Sequence, residues 1–161
     1  MTNVTRPSIG ILVVLIILIQ AVAASSAFLV HDYKKLSPPS APPGVAFSVV
    51  WPVLYVLAAV ALWLQITAPS KTTSPAVQWA GVGLMAVQLV IGFAWMPIFT
   101  SGAHKMATWV IVAMLVTSLT GVTLASATNT VAGTLWAPYI AWLIFALVLS
   151  AQVNAGAIKQ A

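Results

Sequence analysis

Three places in the chain combine a tryptophan with a proline, and these tryptophans are the clearest candidates for binding residues in the sequence. The pairs are Trp51 with Pro52, Trp95 with Pro97, and Trp142 with Pro138. A proline inside a helix removes a backbone hydrogen bond and bends the helix, while an indole offers a flat apolar face and one N–H donor. Kinked helices cannot close along their full length, so the pattern predicts a cavity for a flat apolar ligand. The alternative is that these tryptophans only pack in a core or face lipid.

The titratable residues exclude most forms of catalysis. Asp32 is the only acidic residue in the chain, which rules out a paired-carboxylate site. A Ser-His-Asp triad would need Asp32 to orient His31 or His104, and the spacing gives this no support. The chain contains no cysteine, and its two histidines are typical of solvated loop residues. We therefore predict no metal site and no conventional enzyme.

The elements that hold these residues must lie in a membrane. Of the 161 residues, 61% are hydrophobic and only 4% are charged, whereas an ordinary soluble domain carries about 25% charged residues. The net charge of +5 comes from scattered cations that form no basic stripe, which excludes a nucleic-acid partner. We expect a multi-pass integral membrane protein in contact with the lipid bilayer.

Five apolar segments are long enough for membrane-spanning helices, which need about 20 residues each. Strands would be shorter and would alternate, so the sequence predicts an all-α bundle of five transmembrane helices in a single domain, residues 1–161. The segments are residues 8–30, 45–67, 75–99, 105–127 and 130–153, with approximate ends. The first segment, with Arg6 before it and the small residues AVAASSA at its end, is also compatible with a cleaved signal peptide. Cleavage would leave four spans.

The distribution of cations predicts the orientation of the bundle. Arg6 and Lys71 lie on the N-terminal side of the five spans. The other four cations lie on the opposite side: Lys34, Lys35, Lys105 and Lys159. The positive-inside rule therefore places the N-terminus outside, and the long first loop and the C-terminus in the cytoplasm.

The ends of the spans and the first loop carry further signals. Four prolines stiffen the loop and predict a semi-rigid lid over the bundle: Pro38, Pro39, Pro42 and Pro43.

Three tryptophans near the ends of spans are expected at the membrane interface: Trp79, Trp109 and Trp136. Ala76 and Ala80, four residues apart in the third span, are compatible with close helix approach in a homodimer.

Three blocks of sequence resemble the TspO/MBR family of tryptophan-rich sensory and translocator proteins. The blocks are PPGVAFSVVWPVLY, WMPIF and PYIAWLIFALVL, which occur in the family's order and spacing. The matching residues are Tyr33, Pro42, Pro43, Phe47, Trp51, Tyr55, Trp95, Pro97, Phe99, Pro138, Tyr139, Trp142, Ala146 and Leu149. The resemblance covers residues 33–149 and implies a five-helix bundle, often homodimeric, with a pocket that opens toward the first loop.

The resemblance also implies a ligand and the residues that bind it. The family binds tetrapyrroles such as protoporphyrin IX and haem as ligands, and no cofactor is required. The implied ligand-binding set is Phe47, Ser48, Val50, Trp51, Tyr55, Trp95, Trp142, Ala146 and Leu149. The implied lid consists of Tyr33, Lys34, Lys35, Pro42 and Pro43. Its two lysines would meet the ligand's propionates or only anchor the loop to anionic lipid.

Several bacterial members of the family promote light- and oxygen-dependent breakdown of protoporphyrin, and Trp51 and Trp142 match the tryptophans implicated there. The chain also departs from the family pattern. The loop has Asp32 in place of a tryptophan, and the asparagines expected in the third and fifth spans fall on Gly92 and Ser150. The tail lacks the tyrosine of a sterol-recognition segment. Three alternatives to a tetrapyrrole receptor stay open: an exporter of small apolar molecules, a porphyrin photo-oxidant, and a structural subunit without a ligand.

Overall fold

The computed structural model describes residues 9–27, 40–68 and 73–156, and within these ranges the regular structure is entirely helical. The helices are α1 (Ile9–Ala27), α2 (Gly44–Ile66), α3 (Pro75–Thr100), α4 (His104–Thr128) and α5 (Thr130–Asn154). Of these, α2 to α5 are long and apolar enough to cross a membrane, and the described part of α1 is a shorter apolar helix. The predicted all-α five-helix bundle is confirmed. Of the predicted lid, Tyr33, Lys34 and Lys35 lie outside the described residues.

Local signals explain where the helices begin and end. Ser74 precedes α3, and its hydroxyl accepts a hydrogen bond from the backbone N–H of Val77 at 3.3 Å. Asn129 precedes α5, and its side-chain oxygen accepts from the N–H of Ala132 at 3.2 Å. Both are typical N-terminal caps that satisfy otherwise unpaired donors. Gly102 turns the chain between α3 and α4 with φ of 84°, a conformation that favours glycine.

The helices pack in a ring whose order differs from their order in the chain. α1 packs against α2, α2 against α5, α5 against α4, α4 against α3, and α3 returns to α1. The contacts of α4 with α3 and α5 are the most extensive, because short connections join these three helices as antiparallel neighbours. Contacts of Trp51 with Tyr139 and Trp142 place the N-terminal half of α2 beside the middle of α5.

Small residues bring the helices of the α3–α4–α5 unit close together. A Cβ atom at Gly81 would lie 3.2 Å from Cβ of Leu124. A Cβ atom at Gly133 would lie 3.0 Å from Cβ and 3.2 Å from Cα of Ser126. Membrane helices associate through this kind of close backbone approach, because lipid gives no hydrophobic drive for helix association.

Buried glutamines connect α2 to α3. The side-chain amide of Gln78 donates to the backbone oxygens of Gln65, at 2.6 Å, and Ala68, at 3.4 Å. These two carbonyls lie at and just beyond the end of α2, and the Gln65 oxygen also accepts from the backbone N–H of Ala68 at 3.2 Å. The amide of Gln65 in turn donates to the sulfur of Met85. Polar groups of one helix end are thus satisfied by the neighbouring helix.

The three prolines inside the helices lie on the outer surface of the bundle. α2 continues through Pro52, α3 through Pro97 and α5 through Pro138, and all three proline side chains are exposed. The side-chain amide of Gln20 in α1 donates to the carbonyl oxygen of Pro52 at 2.8 Å, which fixes α1 beside this point of α2. The cavity that these prolines suggest stays a prediction.

Gly133→Ala is expected to destabilise the bundle by about 1–3 kcal/mol, because the added Cβ meets both Cβ and Cα of Ser126 and the helices must move apart. Gly83→Ala is the matched control, since a Cβ there has no neighbour within 4 Å. It should stabilise the helix by about 0.5–1 kcal/mol. Thermal unfolding in detergent measures both variants, and equal behaviour of the two would contradict the close contact.

Candidate ligand-binding site

Trp51 lies at the centre of an aromatic cluster between α2 and α5. Its ring stacks on Tyr55 with the centroids 5.4 Å apart and the planes at 24°. Two rings of α5 meet it edge-on, Tyr139 at 6.1 Å and Trp142 at 6.2 Å. The ring of Phe47 meets Trp142 edge-on at 5.4 Å. These geometries are the ones that aromatic pairs prefer, and the five residues form the central aromatic cluster.

Helical spacing explains why these residues meet. Phe47, Trp51 and Tyr55 recur every four residues along α2, so they share one face of that helix. Tyr139 and Trp142 are three residues apart and share a face of α5. The contact between α2 and α5 therefore brings together four residues of the predicted site with one, Tyr139, that only the family pattern contained.

Trp136 extends the central aromatic cluster into the interior. Its ring stacks on Tyr139 with the centroids 5.0 Å apart, and it is 0% exposed. The prediction that it lies at the membrane interface is wrong, because Trp136 is three residues from Tyr139 and shares its inward face. Trp79 and Trp109, by contrast, are 58% and 72% exposed on the outer surface.

A chain of hydrogen bonds holds Tyr139, which forms the inner wall of the central aromatic cluster. The side-chain amide of Gln88 in α3 donates to the hydroxyl oxygen of Tyr139 at 3.0 Å. The oxygen of the same amide accepts from the hydroxyl of Thr117 in α4 at 2.9 Å. Sequence reasoning missed Gln88, although a carboxamide within an apolar span is itself a signal. Such a group must find a partner on another helix.

The two positions where the family pattern has an asparagine share one feature. Gln88 lies four residues before Gly92, and Asn154 lies four residues after Ser150, so each position has a carboxamide one turn away on the same face. The amide of Asn154 donates to the hydroxyl of Thr108 at 2.7 Å. The same hydroxyl oxygen lies 2.6 Å from that of Ser150. At each of the two positions, a carboxamide one helical turn away makes the polar contact with another helix.

Trp95 belongs to a second aromatic group near the turn between α3 and α4. It stacks on Phe99 at 5.0 Å, and Phe99 meets the ring of His104 edge-on at 5.2 Å. Trp95 packs against the main core and also against the smaller core around Phe99. Its ring contacts among the described residues do not include the central aromatic cluster. His104 is the first residue of α4 and half-buried, rather than a solvated loop residue as expected.

The other predicted site residues flank the cluster with different exposures. Val50 is half-buried against the core, whereas Ser48 lies on the exposed surface of α2. On α5, Ala146 is half-buried and Leu149 is buried. Of the predicted lid, Pro42 is half-buried and Pro43 is exposed directly before α2.

The chemistry of the site is neutral and aromatic. The indole N–H groups of Trp95, Trp136 and Trp142 are buried and have no hydrogen-bond partner among the residues that the structure describes. Each of these groups can donate to one acceptor. Within the described residues no three histidine, cysteine or acidic side chains come together as metal ligands. The aromatic side chains of the cluster can stack on a flat apolar ring.

Apolar helices arranged around an aromatic interior define a multi-pass α-helical membrane protein with a candidate ligand site between helices. The family model of the TspO/MBR family matches residues 8–155, and the chain belongs to this family. No curated protein matches the chain at a significant level. Family membership supports a membrane sensor or binding protein in general terms.

Gly92→Ala is expected to disturb the inner wall. The added Cβ would lie 3.2 Å from the Tyr139 hydroxyl and 3.2 Å from the terminal methyl of Met114. The methionine can move, but the hydroxyl is held by Gln88, so the variant should lose about 1 kcal/mol of stability.

The same change in a Tyr139→Phe background gives the control. Without the hydroxyl the Cβ has more room, and the alanine should be neutral or stabilising by about 0.5–1 kcal/mol. Thermal unfolding of the four proteins measures the difference, and an identical effect of Gly92→Ala in both backgrounds would argue against the contact.

Proposed function

We propose that this protein binds tetrapyrroles, such as protoporphyrin IX or haem, at the central aromatic cluster and acts as a membrane receptor or sensor. The observation that carries the proposal is the position of Trp51, whose ring contacts Tyr55, Tyr139 and Trp142 between two membrane helices. Membership of the TspO/MBR family supports the general class.

The chemistry of the cluster matches that of a tetrapyrrole. A porphyrin is flat and apolar across its ring, and each stacking contact with an aromatic side chain contributes about 1 kcal/mol beyond burial. The only acidic residue of the chain, Asp32, lies outside the described helices. No carboxylate of those helices therefore repels the anionic propionates of the ligand. The buried N–H group of Trp142, which has no hydrogen-bond partner among the described residues, is a donor for an acceptor atom of the ligand.

Light-driven breakdown of a bound porphyrin is the finer form of this proposal. Trp51 and Trp142 lie 6.2 Å apart, so one ligand can contact both indole rings. If the cluster promotes photo-oxidation, the porphyrin spectrum should disappear in light and oxygen, and the loss should slow in Trp51→Phe and Trp142→Phe.

Export of small apolar molecules is the alternative function. Uptake of a labelled ligand by proteoliposomes beyond stoichiometric binding would support it.

A homodimer through α3 also stays a proposal. Ala76 and Ala80 both lie on the exposed surface of this helix, and Gly83 on the same surface has no neighbour within 4 Å of an added Cβ. Small exposed residues permit close approach of a second copy in the membrane.

Titration of the purified protein with protoporphyrin IX, followed by quenching of tryptophan fluorescence, tests the proposed function. We expect saturable binding in the micromolar range for the wild type. Trp51→Phe and Trp142→Phe should each weaken it about fivefold, the equivalent of one aromatic contact.

Trp109→Phe is the control, because Trp109 lies on the outer surface away from the cluster. It should leave the affinity unchanged. Non-saturable quenching, or an equal effect of all three variants, would indicate partition of the porphyrin into detergent and would refute the site.

Single cysteines test the proposed orientation, since the natural chain contains none. Ser101→Cys lies at the turn after α3 and Thr130→Cys at the start of α5, on opposite ends of the bundle. A membrane-impermeant maleimide added outside intact cells should label the cysteine at 130 and not the one at 101, and the reverse pattern would invert the bundle.

A further inference from the structure

We propose that Gln88 is a positioning residue of the candidate site, and that it holds Tyr139 as a fixed wall against Trp51. The proposal rests on the proposed function, because the wall matters for a ligand that docks at Trp51. Gln88 contacts no residue of the predicted ligand-binding set through a hydrogen bond among the described residues, so it would act through Tyr139.

The bonds around Gln88 fix the direction of the Tyr139 hydroxyl. Gln88 is 0% exposed, and both ends of its amide are used, one on Tyr139 and one on Thr117. The single proton of the Thr117 hydroxyl is shared between the Gln88 amide oxygen and the backbone oxygen of Ala113, each 2.9 Å away. The amide thus contacts α4 through its oxygen and donates one N–H to Tyr139 of α5.

Gly92 makes room for this arrangement. An added Cβ there would lie 3.2 Å from the Tyr139 hydroxyl, so the hydroxyl approaches the backbone of α3 where a side chain would stand. The hydroxyl is thus directed toward α3, while the edge-on contact at 6.1 Å is between the rings of Tyr139 and Trp51. Because Trp136 stacks on Tyr139 at 5.0 Å, the ring is constrained on that face as well.

Trp51 is fixed independently on its own helix. Its ring stacks on Tyr55, and the carbonyl of the next residue, Pro52, accepts a hydrogen bond from Gln20 of α1. The separation of Trp51 from the inner wall then depends on where Tyr139 is held. Loss of the Gln88 amide would leave a buried phenol without a partner, a cost that the ring can reduce by moving.

The competing explanation is that Gln88 only holds three helices together. Gln78 provides a matched control, because it is a second buried glutamine of α3, and its amide donates to the end of α2 away from the central aromatic cluster. Gln78→Met and Gln88→Met remove the same chemical group from the same helix. A purely structural role predicts similar loss of stability and no specific effect on the site.

The experiment uses the full chain in detergent with two readouts. The first is the affinity for protoporphyrin IX, where Gln88→Met and Tyr139→Phe should each weaken binding about fivefold, the equivalent of one lost hydrogen bond. The double variant should bind no worse than either single variant, because both remove the same contact. Gln78→Met should bind like the wild type.

The second readout does not depend on the ligand. In protein labelled with 5-fluorotryptophan, the fluorine resonance of Trp51, assigned by its loss in Trp51→Phe, should shift or broaden in Gln88→Met and Tyr139→Phe. It should stay unchanged in Gln78→Met. If the wild type binds no porphyrin, the proposed function fails, and this resonance still decides whether Gln88 positions the wall.

An unchanged Trp51 resonance and unchanged affinity in both Gln88→Met and Tyr139→Phe would overturn the proposal. So would equal effects of Gln78→Met and Gln88→Met on the two readouts. Tyr139→Phe keeps the shape of the ring, so it provides the decision on its own if Gln88→Met fails to fold.

Discussion

A carboxamide side chain inside a membrane helix has no water to bond and takes its partner from another helix. In this protein that requirement decides how the helices fit together. Gln78 satisfies the end of α2, Gln88 joins α3 to α5, and Thr117 joins α4 to Gln88. Apolar packing alone would allow the helices to rotate, because lipid is as apolar as leucine. Directional bonds limit this rotation, and in the observed arrangement Trp51, Tyr139 and Trp142 face one another.

The fold was largely predictable from the sequence, because its signals are strong and local. Long uncharged apolar segments separated by Pro, Gly and Ser clusters define helices, and the bounds of α2 to α5 lie within one residue of the predicted segments. The order of the helices around the ring was not predictable from these signals. It depends on the contacts of α2 with α5 and of α3 with α1, which join helices that are not consecutive in the chain and which no periodicity reports.

The candidate site was partly predictable. Phe47, Trp51 and Tyr55 share a helical face, and the family resemblance added Trp142 across the interface. Trp136 was misplaced because a tryptophan near the end of a span fits an interface and a core equally well, and only the neighbouring helix decides between them. The role of Gln88 was not predictable, because an amide in a membrane helix indicates that a hydrogen-bond partner exists but not which residue it is. Its partner lies 51 positions further along the chain, on α5.

The connection between α4 and α5 consists of Asn129 alone, and the turn between α3 and α4 is almost as short. Together with the close approaches at Gly81 and Gly133, these connections make α3, α4 and α5 one closely packed unit. The aromatic side chains of Trp51, Tyr139 and Trp142 lie along the contact between α2 and α5, which is one of the boundaries between this unit and the other helices. A ligand bound at Trp51 would therefore contact one helix of the unit and one helix outside it, and would be sensitive to any shift between the two.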